Sequence, residues 1–506
     1  MKRLLCLSLA LLLCLGLLPG CAAPGGDGGG AEPAPVENIP ADKCRNWYEV
    51  FVRSYADSDG DGLGDLPGLT EKLDYIRSLG FTGLWLMPIM PSPSYHKYDV
   101  TDYCAVDPEY GTMADLEALL AAAHQRDILV ILDLPVNHSS DQHPWFQSAA
   151  ADPASPYRDW YNFQDSPAVG WAPLGEEYYE ARFTPTMPDL NLDSEAVREE
   201  IETILRFWLD KGVDGFRLDA VTSYYTGADS RSVAFLRWLG ETARSIAPDC
   251  YLVGECWADT ATIRAFYDSG IDSFFYFPAA AAEGTLCRLS RNNVKDRGDR
   301  YGAMTMELEE SFPGFLMAPF LGNHDLGRIS GSVGTGDLAR LKAVNGMLAM
   351  MRGGLFYYYG DEIGMVGSKT DPDKRLGMLW AGEDETTAPP PGVESVRYVL
   401  PSVQEQQADP ASLLNYVAAA MALRNRFPAI ARGQSSLLDS ADPQVCLLRR
   451  DWQEESVTIV LNLSAEEKAL PVEGRLVGAL DASGGGIALE DGSLRLAPWG
   501  IALLQD

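Results

Sequence analysis

SEAVREEIETILRFWLDKGVDGFRLD, residues 194–219, changes periodicity partway along its length. Val197, Ile201, Ile204, Leu205 and Trp208 recur three and four positions apart, the spacing of one apolar helix face. GFRLD (215–219) then reads as a short buried strand. It ends on Arg217 and Asp219, which share one strand face because side chains alternate. The same unit recurs along the chain. YEVFV (48–52), GLWLM (83–87), LVILDL (129–134), YLVGE (251–255), SFFYF (273–277), FLMAPF (315–320) and LFYYY (355–359) complete a set of eight strands. Amphipathic stretches such as LTEKLDYIRSLG, MADLEALLAAAHQRD and DLARLKAVNGMLAMMR alternate with them. Eight strands alternating with helices predict a parallel (β/α)8 TIM barrel, an α/β fold, over 46–138 and 192–433.

The connection over 139–191 is too long for a simple crossover and is rich in Trp, Tyr, Pro and Asp, so it reads as an inserted subdomain. A helix around SLLNYVAAAMALRNRF closes the barrel. Residues 434–506 change to alternating strands and turns, as in VTIVLNLS and SLRLAPWGIALL, and predict a C-terminal antiparallel β-sandwich. At the other end, Lys2 and Arg3 precede an apolar run that is short for a membrane span, so residues 1–20 read as a secretory signal. Leu18-Pro19-Gly20-Cys21 resembles a bacterial lipobox. This implies lipidation of Cys21, an exported protein held on the outer face of the cell membrane by its anchor alone, and a Gly/Pro/Ala-rich tether over 21–45. Six cysteines then remain (Cys44, Cys104, Cys250, Cys256, Cys287 and Cys446), none at metal-site spacing. Disulfides are compatible with export, with no pairing indicated. A net charge of −32 argues against nucleic acid and anionic substrates and favours a neutral one.

Active sites of parallel barrels lie at the C-terminal ends of the strands. There the third strand runs into Asp133, Asn137 and His138, the fourth ends on Arg217 and Asp219, and the fifth ends on Glu255. The seventh is followed by His324 and Asp325. A single aspartate after a strand is more often a helix cap. Three of these carboxylates, Asp219, Glu255 and Asp325, coinciding with an arginine and two histidines are far less readily read as caps and point to a reaction site.

DLPVNH, GFRLDAV, VGECW and FLGNHD closely resemble the four best-known motifs of the α-amylase family of glycoside hydrolases, in order and at proper separation. MPDLN (187–191) is similar to a fifth motif, in the form found between oligo-1,6-glucosidases and neopullulanases, and YHKYDVTDY (95–103) and GDEIG (360–364) also match. The resemblance implies a retaining double displacement on starch, maltodextrins or related α-glucans. Asp219 would be the nucleophile, kept ionised by Arg217, and Glu255 the general acid and base. Asp325 would help distort the sugar, with His138 and His324 donating to its hydroxyls. Tyr98 matches the aromatic that stacks on the reacting sugar, His96 and Asp99 belong to the same motif, and Asp99 is expected to pair with Arg375. Ala220 after the nucleophile favours α-1,4 bonds, since exo-acting relatives with α-1,6 preference carry valine there. Trp145, Trp160, Trp171, Tyr178 and Tyr179 could line outer subsites or pack the insertion.

DSDGDGLGD (57–65) places acidic residues at alternate positions beside glycines. An EF-hand would need a glutamate where Gly68 stands and a helix where YEVFVRSY reads as a strand. The stretch instead resembles the calcium loop that follows the first strand in the oligo-1,6-glucosidase and related branches. That implies Asp57, Asp59, Asp61, the Leu63 carbonyl and Asp65 as ligands of a structural Ca²⁺, ahead of Mg²⁺. The competing readings within enzymes are a cyclomaltodextrinase, an oligo-α-glucosidase or a transglycosylase. From another class there is a non-catalytic glycan-binding lipoprotein, which loss of Asp219 or Glu255 would mark; both are present.

Overall fold

Seven of the apolar runs form parallel strands: β1 (Trp47–Val50), β2 (Gly83–Leu86), β3 (Leu129–Leu134), β4 (Gly215–Leu218), β5 (Tyr251–Gly254), β6 (Ser273–Phe274) and β7 (Phe356–Tyr358). They neighbour one another in the order β7-β1-β2-β3-β4-β5-β6 in a computed structural model that describes residues 42–505 apart from 335, 383 and 384. FLMAPF, expected as a strand, is not one. Ala318 makes an isolated parallel bridge to Phe275, and Tyr276 N–H donates to its carbonyl at 3.0 Å. On the other side, Phe356 N–H donates to Pro319 O at 2.9 Å and Gly354 N–H to Met317 O at 2.8 Å. The segment therefore joins β6 to β7 and closes the barrel. Pro319 has no N–H to continue a ladder, which accounts for the interrupted strand.

Alternation decides what each strand sends inward. Trp47, Trp85, Ile131, Tyr251, Val253, Phe275, Phe320 and Phe356 pack into one buried cluster, the floor of the barrel. The residues between them, such as Tyr48, Leu84, Leu132, Phe216 and Leu252, pack outward into the layer shared with the helices. Trp47 stacks on Tyr251 at 4.7 Å, and the space it crosses exists because residue 83 is glycine, whose Cβ would stand 2.3 Å from the indole. Two residues beyond floor positions, on the same parity, stand Glu49, Asp133 and Glu255, and on β4 the inward position itself is Arg217. The inward face thus changes from aromatic to charged toward the strands' C-terminal ends.

The amphipathic stretch of 194–212 forms the helix Glu195–Asp210, with Val197, Ile201, Ile204, Leu205, Trp208 and Leu209 buried. The helix expected over 69–80 is divided at Lys72 into Leu66–Glu71 and Leu73–Ser78. Within 139–191 lie the helix Pro144–Ala151 and a three-stranded antiparallel sheet (Phe163–Gln164, Glu177–Glu180, Trp171–Leu174). The bridges His138 to Asp189 and Tyr161 to Leu190 tie that segment to the residues following β3. Tyr179 is buried there against Phe146, whereas Trp145, Trp160, Trp171 and Tyr178 are half-buried. Beyond the helix Leu413–Arg426 come antiparallel sheets of five and three strands, whose facing residues Val445, Val460, Leu494, Leu496, Ala502 and Leu504 form a separate core.

The signal segment, Cys21 and most of the expected tether lie outside the described residues. The last tether residues are not extended linker. Lys43 Nζ donates at 2.9 Å both to Asp272 Oδ1 and to the Cys250 carbonyl, Asp42 pairs with Arg432, and Arg45 is buried. Cys44, Cys104, Cys250, Cys256, Cys287 and Cys446 are all free thiols, so none of the described cysteines forms a disulfide.

Candidate active site

Arg217 organises the charged layer. Its side chain is wholly buried, and Nη1 donates to Asp219 Oδ1 at 2.6 Å and to Asp133 Oδ1 at 2.8 Å. Nη2 lies 3.0 Å from Glu255 Oε1, an ion pair without hydrogen-bond alignment. One guanidinium therefore reaches three carboxylates from three adjacent strands. Trp85 lies under it, 5.2 Å from ring centre to guanidinium carbon, and supplies a cation–π contact from the floor.

The chain after Asp219 makes a strained turn. Ala220 has φ +47°, a left-handed conformation unusual for a residue with a side chain. That turn aims the Ala220 N–H at Glu255 Oε2, 3.1 Å away, and the Val221 N–H at the Glu255 carbonyl, also 3.1 Å. Burial pushes the Glu255 carboxyl up to about 7 against the opposing pull of Arg217, with Asp219 and Asp325 adding to the rise. Burial likewise raises Asp133 to about 6 against the pull of Arg217.

A second cluster adjoins the first. His324 Nδ1 lies 2.6 Å from Glu49 Oε1, and its Nε2 lies 2.6 Å from Tyr98 Oη and 3.2 Å from Asp325 Oδ2. Burial opposes charge on this imidazole, but Asp325 and Glu49 together overcome it and raise its pKa to about 10. Burial would raise the Asp325 carboxyl, yet His324, Arg375 and Arg217 hold it well below the usual carboxylate range. Tyr98 stacks on His324 at 5.4 Å and donates to Asp133 Oδ2 at 3.0 Å. His138 is buried with Nε2 lacking a protein partner, and burial lowers its pKa. His96 Nδ1 accepts the Tyr98 N–H at 3.2 Å, and burial lowers this imidazole too, against Asp99.

The expected Asp99–Arg375 pair is not formed. Asp99 Oδ1 accepts from Ser92 Oγ at 2.7 Å and also from Ser94 Oγ. Arg375 pairs instead with Asp325 at 3.0 Å and with Asp371 at 2.9 Å, and donates to Tyr95 Oη at 3.2 Å. Two serines two and four residues beyond Met90 satisfy Asp99 locally, which leaves Arg375 for the nearer acid.

Asp219, Glu255, Asp325, Tyr98, Arg217 and His324 thus form one bonded assembly, with His138, His96 and Arg375 at its margins. Sequence reasoning missed Glu49 and the bridging role of Asp133, which inward parity above Trp47 and Ile131 could have flagged. It also missed Phe183 and Trp257, which are 49% and 55% exposed. Phe183 packs edge-on against His138 at 5.4 Å, and Trp257 stacks on Phe277 at 4.8 Å, so both present apolar rings beside the polar site.

In the 57–65 loop, carboxylate oxygens of Asp57, Asp59 and Asp61 all come within 4.8 Å of one another, a donor set of hard oxygens that fits a divalent cation. Positive φ at Gly60 (+84°) and Gly62 (+93°) permits the tight turn. The Leu63 N–H donates to Asp61 Oδ1 at 2.7 Å. Asp65 is not with the others. Its Oδ1 accepts from Gly68 N–H at 2.6 Å as the cap of the following helix, and its Oδ2 accepts from Ser58 N–H at 3.0 Å.

A closed parallel barrel with paired carboxylates at the ends of β4 and β5 has the arrangement that acid and nucleophilic catalysis of glycosyl transfer requires. The Alpha amylase, catalytic domain profile matches residues 49–433. Alpha-amylase 3 of Dictyoglomus thermophilum is 39% identical over 443 residues, spanning 85% of this chain and 87% of the relative. The glucan 1,6-alpha-glucosidase of Streptococcus pneumoniae is 31% identical over 86% of this chain and 93% of its own. The structure of Eubacterium rectale Amy13B superposes with a TM-score of 0.89 at 38% identity, covering 94% of this chain and 99% of the other. The chain belongs to the α-amylase family of glycoside hydrolases.

Proposed function

We propose that this protein is an extracytoplasmic retaining hydrolase of α-1,4-glucosidic bonds in starch and maltodextrins. The observation that carries the reading is the shared guanidinium. Arg217 hydrogen-bonds Asp219 at 2.6 Å and only ion-pairs Glu255, whose carboxyl is raised to about 7. Asp219 attacks the anomeric carbon from one face while Glu255, protonated near neutral pH, gives its proton to the departing oxygen. Glu255 then takes a proton from the incoming water, and the glycosyl–Asp219 bond is hydrolysed with net retention. Asp325, anchored by Arg375, and His138, with a free ring nitrogen, hold hydroxyls of the reacting sugar, and Tyr98 offers its ring. Phe183 and Trp257 supply apolar surface for neighbouring sugar faces.

The substrate is a neutral α-glucan. The test is a time course of products from soluble starch, with the anomeric form of the first products read by NMR. Maltooligosaccharides released in the α form are expected. β-Anomers, or inertness toward starch alongside cleavage of α-1,6 oligosaccharides, would overturn the assignment; the second outcome would match the name of the streptococcal relative.

Asp57, Asp59 and Asp61, with the Leu63 carbonyl, would hold a structural Ca²⁺ in preference to Mg²⁺, and Asp65 would brace that loop as a helix cap. The ion would fix the turn and neutralise its charge. Export and a lipid anchor at Cys21 complete the reading. Cys21→Ser should move the enzyme from the membrane fraction to the soluble one with unchanged specific activity, whereas wild-type protein found wholly in the medium would remove the anchor.

A further inference from the structure

Glu49 is 1% exposed on the inward face of β1, two residues past Trp47. Nothing in the double displacement uses it. Its Oε1 lies 2.6 Å from His324 Nδ1 and 3.3 Å from the His324 backbone N–H, so it fixes both the ring and the chain that carries it. Counting protons around the ring assigns its state. The single Tyr98 hydroxyl proton goes to Asp133 Oδ2 at 3.0 Å, so at the 2.6 Å contact with Nε2 the phenol oxygen accepts and the histidine donates. The other neighbour of Nε2, Asp325 Oδ2 at 3.2 Å, is a carboxylate and also accepts. Nδ1 faces only Glu49, a carboxylate, and must carry a proton as well. An imidazole that donates from both nitrogens is a cation.

We infer that Glu49 is a positioning residue for the proposed reaction: it holds His324 as a fixed imidazolium, and this cation in turn sets Tyr98 and the Asp325 carboxylate against the reacting sugar. The inference rests on the reading of Asp219 and Glu255 as the reacting pair. The charged and titratable groups facing His324 are Glu49 from β1, Tyr98 from the loop after β2, Asp325 beside it and Arg375, whose Nε donates to the His324 carbonyl at 3.2 Å, with Asp133 and Glu255 also within its field. Arg375 reaches the His324 backbone and not its ring; the ionisable groups that touch the ring itself are Glu49, Tyr98 and Asp325, and the raised pKa of His324, about 10, agrees with the proton count. Without the Glu49 charge, burial would favour a neutral ring with one donor only, and the bond to Tyr98 or its partner contact would be lost.

The test uses the full chain with ¹⁵N-labelled histidine, practical because there are five histidines. The His324 signals are assigned by their loss in His324→Gln. In the wild type at pH 7.5, both His324 ring nitrogens are expected to show the imidazolium pattern. In Glu49→Gln, close in shape, they should move to those of a neutral ring. Turnover of soluble starch should fall on the order of 100-fold, through kcat far more than KM, as expected for misplaced catalytic groups. A neutral His324 in the wild type would overturn the inference even if Glu49→Gln cannot be purified. So would an imidazolium that persists in Glu49→Gln, or full turnover despite its loss. Failure of the underlying assignment looks different: Asp219→Asn would keep wild-type turnover while the His324 signals stayed as predicted.

Discussion

Two clusters of carboxylates, one above the barrel floor and one in the turn after β1, solve the problem of crowded negative charge differently. Above the barrel floor, Asp133, Asp219 and Glu255 are buried around an internal cation, Arg217, and Asp325 lies between His324 and Arg375. In the turn after β1, Asp57, Asp59 and Asp61 stand largely in solvent, and among the described residues no lysine or arginine pairs with them. Burial makes the first cluster reactive, because desolvation spreads the carboxyl pKa values around a fixed guanidinium. On the proposed reading, exposure leaves the second to be neutralised by a cation from outside, since water and amides alone would otherwise screen it. The same residue type would thus serve chemistry in one place and fastening in the other, according to which counter-charge the fold supplies.

The comparison breaks first if the buried cluster is not the reacting one. Asp219→Asn should lose turnover by on the order of 10⁴-fold, and Glu255→Gln by about 10²- to 10⁴-fold, measured on maltooligosaccharides, with melting curves near those of the wild type. A substrate with a good leaving group should partly rescue Glu255→Gln and leave Asp219→Asn inactive. The reverse pattern of rescue would exchange the two roles.

The pH profile tests the spread within that cluster. Glu255 must be protonated to act as an acid, and its carboxyl is raised to about 7 by burial, with help from Asp219 and Asp325 against Arg217. On the alkaline side, kcat/KM should therefore fall about tenfold per pH unit above roughly 7, and Glu255→Gln should abolish that limb. The linked stability has the same sign: a carboxyl raised in the folded state favours folding at low pH and loses that contribution as pH rises through about 7. A profile flat to pH 9 would deny Glu255 the role.

Much of the reactive cluster could be read from the chain because strand parity and motif order are local properties. Arg217 and Asp219 two apart on GFRLD, or Glu255 two beyond Val253, need no knowledge of distant contacts. What escaped reading depends on which of several partners lies nearest in space. Asp99 was expected to meet Arg375, but Ser92 and Ser94 engage it, while Asp371 and Asp325 take the arginine. Glu49, inside an apolar run, reads as an ordinary polar break until His324 is brought against it from far along the chain. Pro319 is visible in FLMAPF, yet the extent to which it interrupts pairing depends on neighbours that already close the barrel. Asp65 reads as one more metal ligand, and its second role as a helix cap depends on the Ser58 and Gly68 amides, which the motif does not reveal.

A smaller effect is expected where backbone strain links the nucleophile to the acid. Ala220 holds φ +47° and gives its N–H to Glu255 Oε2. A β-branched side chain there should cost on the order of 1–3 kcal/mol, partly relieved by movement of the turn. Ala220→Val, which introduces the residue carried by relatives with α-1,6 preference, should therefore lower kcat on starch by roughly tenfold and shift the alkaline limb while sparing turnover of α-1,6 oligosaccharides. Ala220→Gly, free to adopt the same φ, should keep near-normal turnover. Equal losses in both variants would mean that the methyl group, and not the aim of the amide, matters at this position.

The smallest change in rate is expected at the exposed cluster, and it separates the two regions most directly. A chelator should lower the melting temperature, because an ion bound only by the folded state stabilises it by mass action and its removal leaves three close carboxylates to repel. Starch turnover at moderate temperature should change by less than about twofold, since glycosyl transfer between two carboxyl groups needs no Lewis acid. Asp61→Ala should bring the same loss of melting temperature and make it insensitive to added Ca²⁺. Asp65→Asn should behave differently: it keeps an N-cap acceptor for Gly68 and should retain most of the response to Ca²⁺, because Asp65 is committed to Ser58 and the helix. If chelation instead leaves melting unchanged and removes activity, with Ca²⁺ restoring the rate, then the ion acts at the sugar site. The distinction between a reactive buried cluster and a fastening exposed one would then fail.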